Sequence, residues 1–329
     1  MIAKVIVDIP SKSVDFTFDY IIPSKLQSMV QVGMRVIVPF GPRTIQGYVM
    51  QITDKPDDNI DIAKLKEIKE NNFEFVPIHI TLGDEDYIDG ISLNKNEFYE
   101  TLESSGDFPK TSQPSPQAFL EIFKTAKENK DTLLCILLSS SLSGTCQSAQ
   151  IAKTMADYDD IHIIDSLSAS CMIKILADYA CALAKENMPA GEIVARVEEL
   201  KSRVTLFAGL DTLEYLCKGG RLSKSAAAIG ELANIKPVIT VTKEGTVGIL
   251  GKCLGKNKAI TQVFKHIQET EADSAFPLYT IYTHGTENCS LLEEKLRENG
   301  YEVSQRLQVG ATIGAHIGPE AFGVVFVSK

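Results

Sequence analysis

Short apolar, β-branched runs separated by turn-forming residues open the chain: KVIVDI, FTFDYII, RVIVPF and QGYVMQI. Their length and residue types predict strands. Turn signals fall between them at Pro10, Pro23-Ser24, Val32-Gly33 and Gly41-Pro42. A small, mostly β barrel or sandwich is expected over residues 1–70. It ends in a charged stretch, DKPDDNIDIAKLKEIKENN, that reads as a linker or short helix.

From residue 73 the pattern becomes alternating strand and helix. FEFVPIHI predicts a strand, EFYETLESS a helix and FPKTSQPSP a turn-rich loop. QAFLEIFKTAKEN places Phe119, Leu120, Phe123 and Ala126 on one helical face. TLLCILL and IHIID are near-continuous apolar runs, as expected of parallel strands covered on both faces. Each is followed by a helical pattern, GTCQSAQIAKTMA and SASCMIKILADYACALAKE, so a doubly wound parallel sheet is expected over residues 71–204. A second α/β domain is expected over residues 205–329. There LFAGLDTLEYLCKGGRLSKSAAAIGELANI reads as helical with a Gly-Gly break, and PVITVTKEGTVGILG as a hairpin across Lys243-Glu244-Gly245. The end, RLQVGATIGAHIGPEAFGVVFVSK, reads as a strand, a glycine-rich loop and a final strand.

Composition narrows the class. With 329 residues, of which 44% are hydrophobic, the chain suits two or three domains with sizeable cores. No apolar run is long enough for a membrane span. The opening MIAKVIVDIPSKSVDF carries an acid inside its apolar run and reads as a strand, not a signal peptide. Seven cysteines, an odd number at wide spacings without a C-x-x-C, fit reduced thiols and a cytoplasmic location rather than disulfides or a zinc site. The net charge of −10 argues against wrapping nucleic acid. Residues 1–70 are neutral, with nine basic and nine acidic side chains, so the whole excess lies beyond residue 70.

Four segments or clusters could carry chemistry. In TLLCILLSSSLSGTCQSAQ a buried strand runs into Ser139, Ser140, Ser141 and Ser143, and a helix starts near Gly144. The carboxyl end of a parallel strand, beside free helix N–H groups and hydroxyls, suits a carboxylate; alternatively the serines only cap the helix. PKTSQPSP is either a stiff polar ligand loop or a helix entry with Ser115 as cap and Pro116 in the first turn. Asp165 in IIDSLSAS either orders the serine loop or caps the next helix. Arg221, after two glycines, and His316, among glycines, suit an acidic head group. GKCLGKNK is not a P-loop, since Leu250 stands where glycine is needed and Asn257 replaces Ser/Thr. No nucleophile elbow, H-E-x-x-H or dinucleotide fingerprint occurs.

The blocks FVPIHITLGDEDYIDG, FYETLESSGDFPKTSQPSPQAFLEIF, SSSLSGTCQSA, IIDSLSAS, DTLEYLCKGGRLSKSAA, ANIKPVI and IGAHIGPEAFG resemble the DegV family of fatty-acid-binding proteins. The resemblance covers residues 71–329 and lacks the family's opening strand and helix. It implies two α/β domains holding one long-chain fatty acid, with no other cofactor and no enzyme activity of the chain's own. It implies Thr111, Ser112, Ser143 and Gly144 around the carboxylate, Arg221 and His316 near it, and SAAAIGELANI beside the acyl chain. A separate fatty-acid kinase subunit is the implied partner. Leu254 stands where the family carries a basic residue.

Residues 1–70 resemble a different family. VIVDIPSKSVDFTFDYIIP and VGMRVIVPFGPRTIQGYV are similar to the N-terminal DNA-binding domain of the PriA primosomal helicase, without the motor. The chain thus reads as a fusion, and binding of DNA 3′ ends is the alternative function, expected to be weak or absent given the neutral charge. A third reading is an enzyme using Ser143, Asp165 and His316, which requires a Ser–His hydrogen bond of about 2.6–3.2 Å.

Overall fold

The computed structural model describes residues 1–7, 17–23, 30, 35–40, 43–55, 65, 75–223 and 234–329. Its contacts divide the chain into two compact units, Met1–Phe75 and Val76–Lys329.

The first unit contains β1 (Ile2–Val7), β2 (Phe18–Ile21), β3 (Arg35–Phe40) and β4 (Arg43–Thr53). All pairings are antiparallel, in the order β2-β1-β4-β3. Strand alternation sends Ala3, Val5 and Val7 to one face, where they pack with Tyr20, Val38 and Val49. The four strands thus lie where the apolar runs predict them. The expected turns at Pro10, Val32-Gly33 and Gly41-Pro42, and most of the charged linker, lie outside the described residues.

The second unit begins with β5 (His79–Leu82), β6 (Glu85–Ile88), α1 (Lys95–Ser105), β7 (Lys110–Ser112) and α2 (Pro116–Asn129). There follow β8 (Leu133–Leu137), α3 (Thr145–Ala156), β9 (Ile161–Asp165), α4 (Cys171–Lys185) and α5 (Ala190–Lys201). The remainder comprises β10 (Val204–Gly209), α6 (Glu214–Lys218), β11 (Ile235–Val241), β12 (Val247–Leu254), α7 (Lys256–Thr270), β13 (Tyr279–Tyr282), α8 (Glu287–Glu298), β14 (Gln305–Gln308), α9 (Ala311–Ile317) and β15 (Phe322–Val327).

β8 and β9 form the expected parallel pair. Side chains of β8 alternate between two cores, Leu134 and Ile136 on one side and Leu133, Cys135 and Leu137 on the other. The larger sheet has six strands in the order β12-β11-β10-β15-β13-β14, and only β13 and β14 run parallel within it. One of its faces is covered by α7 and α8 through Val263, Phe264, Ile267, Leu292 and Leu296. The other packs Leu206, Ala208, Ile239 and Val325 towards Met172, Ile175 and Leu176 of α4.

Several segments differ from the sequence reading: Lys110–Ser112, expected in a loop, is strand β7, and among the described residues of FEFVPIHI only His79 and Ile80 lie in a strand. LFAG is strand β10 rather than helix, because its ladder partners β11 and β15 lie far away in the chain. The glycine-rich loop before the last strand is largely helix α9. Asp89 accepts the Thr312 N–H at 3.0 Å, satisfying a free donor at the helix start. Gly314, in mid-helix, faces the rings of Phe98 and Tyr99. The SAAAIGELANI segment falls almost wholly outside the described residues.

Candidate ligand-binding site

The second unit holds a cavity of about 170 Å³, more than ten times the roughly 10–15 Å³ that admits one water. Its wall on the sheet side is apolar, built from Leu206, Ala208, Ile239, Val241 and Ile281. Its polar groups come from segments far apart in sequence.

Thr111 lies on β7, which is a strand only because it pairs with β5, Ile80 opposite Thr111. Strand alternation turns Thr111 to the cavity and leaves Ser112 exposed on the other side. Ser112, expected at the carboxylate, therefore does not line the cavity. Gln113 returns to Thr111's side and does line it, donating from Nε2 to Ser148 Oγ at 3.1 Å. Ser115 and Pro116 start α2 as cap and first residue, so the helix-entry reading of this loop holds.

The serine loop after β8 is not a helix cap. Gly144 occupies the N-cap of α3, with no side-chain cap bond. Ser139 Oγ instead donates to Gly245 O and Ser141 Oγ to Glu244 O, both at 2.8 Å, on the β11–β12 turn. Asp165 Oδ1 accepts the N–H groups of Ser140 at 3.2 Å and Leu167 at 3.0 Å, so it does order both loops. Ser143 is the serine of this loop that reaches the cavity, its hydroxyl 2.8 Å from Thr145 Oγ1. Gly144 does not line the cavity; a Cβ there would lie 1.9 Å from Gln113 Oε1, so its lack of a side chain makes room for that amide.

Arg221 and His316 complete the polar end. Arg221 donates from Nε to Leu142 O at 2.9 Å and from Nη1 to Gly219 O at 2.6 Å, tying the serine loop to its own turn. His316 Nε2 lies 2.9 Å from Thr111 Oγ1 across 205 residues of chain. Its Nδ1 is buried without a partner, and a Cβ on Gly219 would sit 2.2 Å from it. Burial, and then the Arg221 charge, push the His316 pKa down to about 4, so the ring is neutral at pH 7. A neutral ring donating from Nε2 to Thr111 Oγ1 leaves the Thr111 O–H free to donate onward. It leaves at Nδ1 a bare lone pair, which is more tolerable than a buried orphan N–H.

The Ser143–Asp165–His316 constellation is not assembled. His316 uses Nε2 on Thr111 and has no partner at Nδ1, while Asp165 is engaged by backbone donors. Burial raises the thiols of Cys135 and Cys146 to about 12 and about 11, so neither is a ready thiolate. Among the described residues no group of three metal-ligating side chains comes together, and no helix is long and apolar enough to cross a membrane.

Gln113, Ser170 and Thr312 line the cavity without having been anticipated. Gln113 and Thr312 carry no signal in the sequence, since one falls in a segment that reads as a turn-rich loop and the other in a segment that reads as a glycine-rich loop, where neither strand nor helix spacing applies. Ser170, at φ 56°, has none either. One titration checks the electrostatics: in Arg221→Gln the His316 pKa, followed by NMR, should rise from about 4 but stay below the ordinary value of about 6.5. Burial, the larger cause, remains in that variant. An unchanged pKa would show that Arg221 does not act on the ring.

The cavity thus joins an apolar wall to a polar end of two hydroxyls, a neutral imidazole and a guanidinium. Residues 58–329 match the DegV family, described as an uncharacterised protein family, and the chain belongs to it. The match starts ahead of residue 71, where the motifs place it. Residues 4–78 match the 3′ DNA-binding domain of PriA. A DegV domain-containing protein of Caldanaerobacter subterraneus is 36% identical over 265 residues, covering 80% of this chain and 94% of that protein. The structure of a DegV family protein from Thermus thermophilus, described by its fatty-acid binding, aligns with a TM-score of 0.69 at 28% identity, covering 77% of this chain and 91% of the other. The Streptococcus pneumoniae fatty acid kinase (Fak) B3 protein loaded with linoleic acid aligns with a TM-score of 0.69 at 25% identity, covering 77% and 90%.

Proposed function

We propose that the second unit binds one long-chain fatty acid as its carboxylate. The observation that carries this is the Thr111–His316 bond at the polar end of an otherwise apolar cavity. Thr111 and Ser143 donate their hydroxyls to the carboxylate, and Arg221 supplies the compensating charge. His316 holds Thr111 as a donor. The acyl chain lies against Leu206, Ala208, Ile239 and Ile281, where each buried methylene contributes about 0.8 kcal/mol. Ser112 and Gly144 act through the shape of their loops. The solved relatives that hold fatty acids support the reading. The Fak relative further supports a carrier role, in which this chain presents the acid to a separate kinase.

Paired titrations with hexadecanoate and hexadecanol test the head-group assignment, since the two share a tail. Hexadecanoate should bind at least tenfold more tightly, from charge-assisted bonds of about 1.5–3 kcal/mol each. Equal affinity would remove the carboxylate site.

A second activity is favoured by the match of residues 4–78, namely binding of DNA 3′ ends by the first unit. A gel shift with a 3′-ended fork tests it, and no salt-sensitive shift at micromolar protein would exclude it.

A further inference from the structure

Thr111, Arg221 and His316 sit on separate segments: β7, the turn after α6, and α9. β7 has three residues, α6 five and α9 seven, each too short to hold its shape alone. The 2.9 Å contact between Thr111 and His316 therefore needs support from behind. One residue joins all three segments. Tyr215 of α6 does not line the cavity. Its ring packs on Phe108, three residues before Thr111, with centroids 4.9 Å apart and planes tilted by 37°. Lys218, one helical turn on, places Nζ 3.4 Å from the centroid of the same Phe108 ring. The Tyr215 ring also presses on Gly318, two residues after His316; a Cβ there would lie 2.5 Å from the ring's Cδ2 and Cε2. The Tyr215 carbonyl accepts the Gly219 N–H at 2.8 Å, where the turn that carries Arg221 begins.

We propose that Tyr215 is a positioning residue for the head-group site, setting the spacing of Thr111, Arg221 and His316 and so the preference for a carboxylate. This deepens the fatty-acid reading and rests on it. The ring fills the gap between Phe108 and Gly318. Without it β7 and α9 can shift apart, the Thr111–His316 contact lengthens, and water reaches the imidazole. The acyl wall of Leu206, Ala208, Ile239 and Ile281 is built on the large sheet, so the tail keeps its contacts.

The test compares the full chain as wild type, Tyr215→Leu and Tyr215→Phe, by titration with hexadecanoate and hexadecanol and by NMR of the His316 ring. In Tyr215→Leu the preference for hexadecanoate should fall from at least tenfold to about threefold or less, with hexadecanol affinity nearly unchanged. The His316 pKa should rise from about 4 towards 6.5, because the ring loses burial. Tyr215→Phe keeps the ring that makes these contacts and should restore both values. The proposal is overturned if folded Tyr215→Leu keeps the wild-type preference and pKa, if it weakens both ligands alike, as a merely structural role would, or if Tyr215→Phe behaves as Tyr215→Leu. Should Tyr215→Leu not fold, Phe108→Leu decides. It removes the ring contact on the β7 side and should lower the preference in the same direction; an unchanged preference overturns the proposal. A wild-type preference untouched by the variants sinks this inference alone, whereas a wild type that binds neither ligand, or both equally, sinks the fatty-acid reading with it.

Discussion

Replacing Thr111 and Ser143 together by alanine should lower hexadecanoate affinity by somewhat more than a hundredfold while the chain stays folded. Each hydroxyl is proposed to donate to a carboxylate, and a hydrogen bond to a charged group contributes about 1.5–3 kcal/mol. Two of them give about 3 kcal/mol at the lower end, where 1.4 kcal/mol is a factor of ten. The single changes should not add, since both hydroxyls serve one head group. Thr111→Ala should be the worse of the two, because it also strips His316 Nε2 of its partner. Thr111→Ser should restore most of the affinity, since it returns the hydroxyl. The unliganded fold should lose about 1 kcal/mol or less, since the Thr111 hydroxyl bonds His316 and the Ser143 hydroxyl bonds Thr145. Unaltered lipid binding in the double variant would place the head group elsewhere.

Gly314→Val should destabilise the second unit by about 3 kcal/mol, the upper part of the range for overpacking a well-filled core. A Cβ at this position would lie 2.4 Å from Tyr99 Oη, 2.8 Å from its Cζ and 2.9 Å from Phe98 Cε1. Neither ring can withdraw. Both are fully buried, and Tyr99 is fixed by donating its hydroxyl to Val309 O at 3.0 Å. The strain has to move α9, which carries Thr312 and His316 on its opposite, cavity-lining face. Ligand affinity should therefore fall with stability, although residue 314 touches no ligand. Gly191→Ala is the control. A Cβ there meets nothing within 4 Å, in the first turn of α5, and the exchange should stabilise by about 0.5–1 kcal/mol. A Gly314→Val protein with wild-type melting and binding would contradict the packing account.

Much of this site was legible because its parts are local. The apolar run of β8, the serine loop and the helix that follows are contiguous, and so are Ser115 and Pro116 at the start of α2. What stayed hidden depends on distant partners. β10 contains LFAG, whose small and apolar residues suit a helix equally well until Val324 and Thr240 pair with Phe207. The four glycines around α9 signal a loop until Asp89 caps the helix and two aromatic rings fill the space beside Gly314. Ser112 was misplaced because a Pro-flanked loop gives no alternation to read. Once β7 pairs with β5, one residue of register separates a cavity residue from an exposed one.

The central claim, one fatty acid held in the second unit, is tested most directly by native mass spectrometry of the purified full chain, with lipid extraction from the same sample. The account predicts an added mass of one fatty acid per chain, lost in the Thr111→Ala, Ser143→Ala double variant. A folded protein that carries no fatty acid, and takes none up when hexadecanoate is supplied, would contradict it.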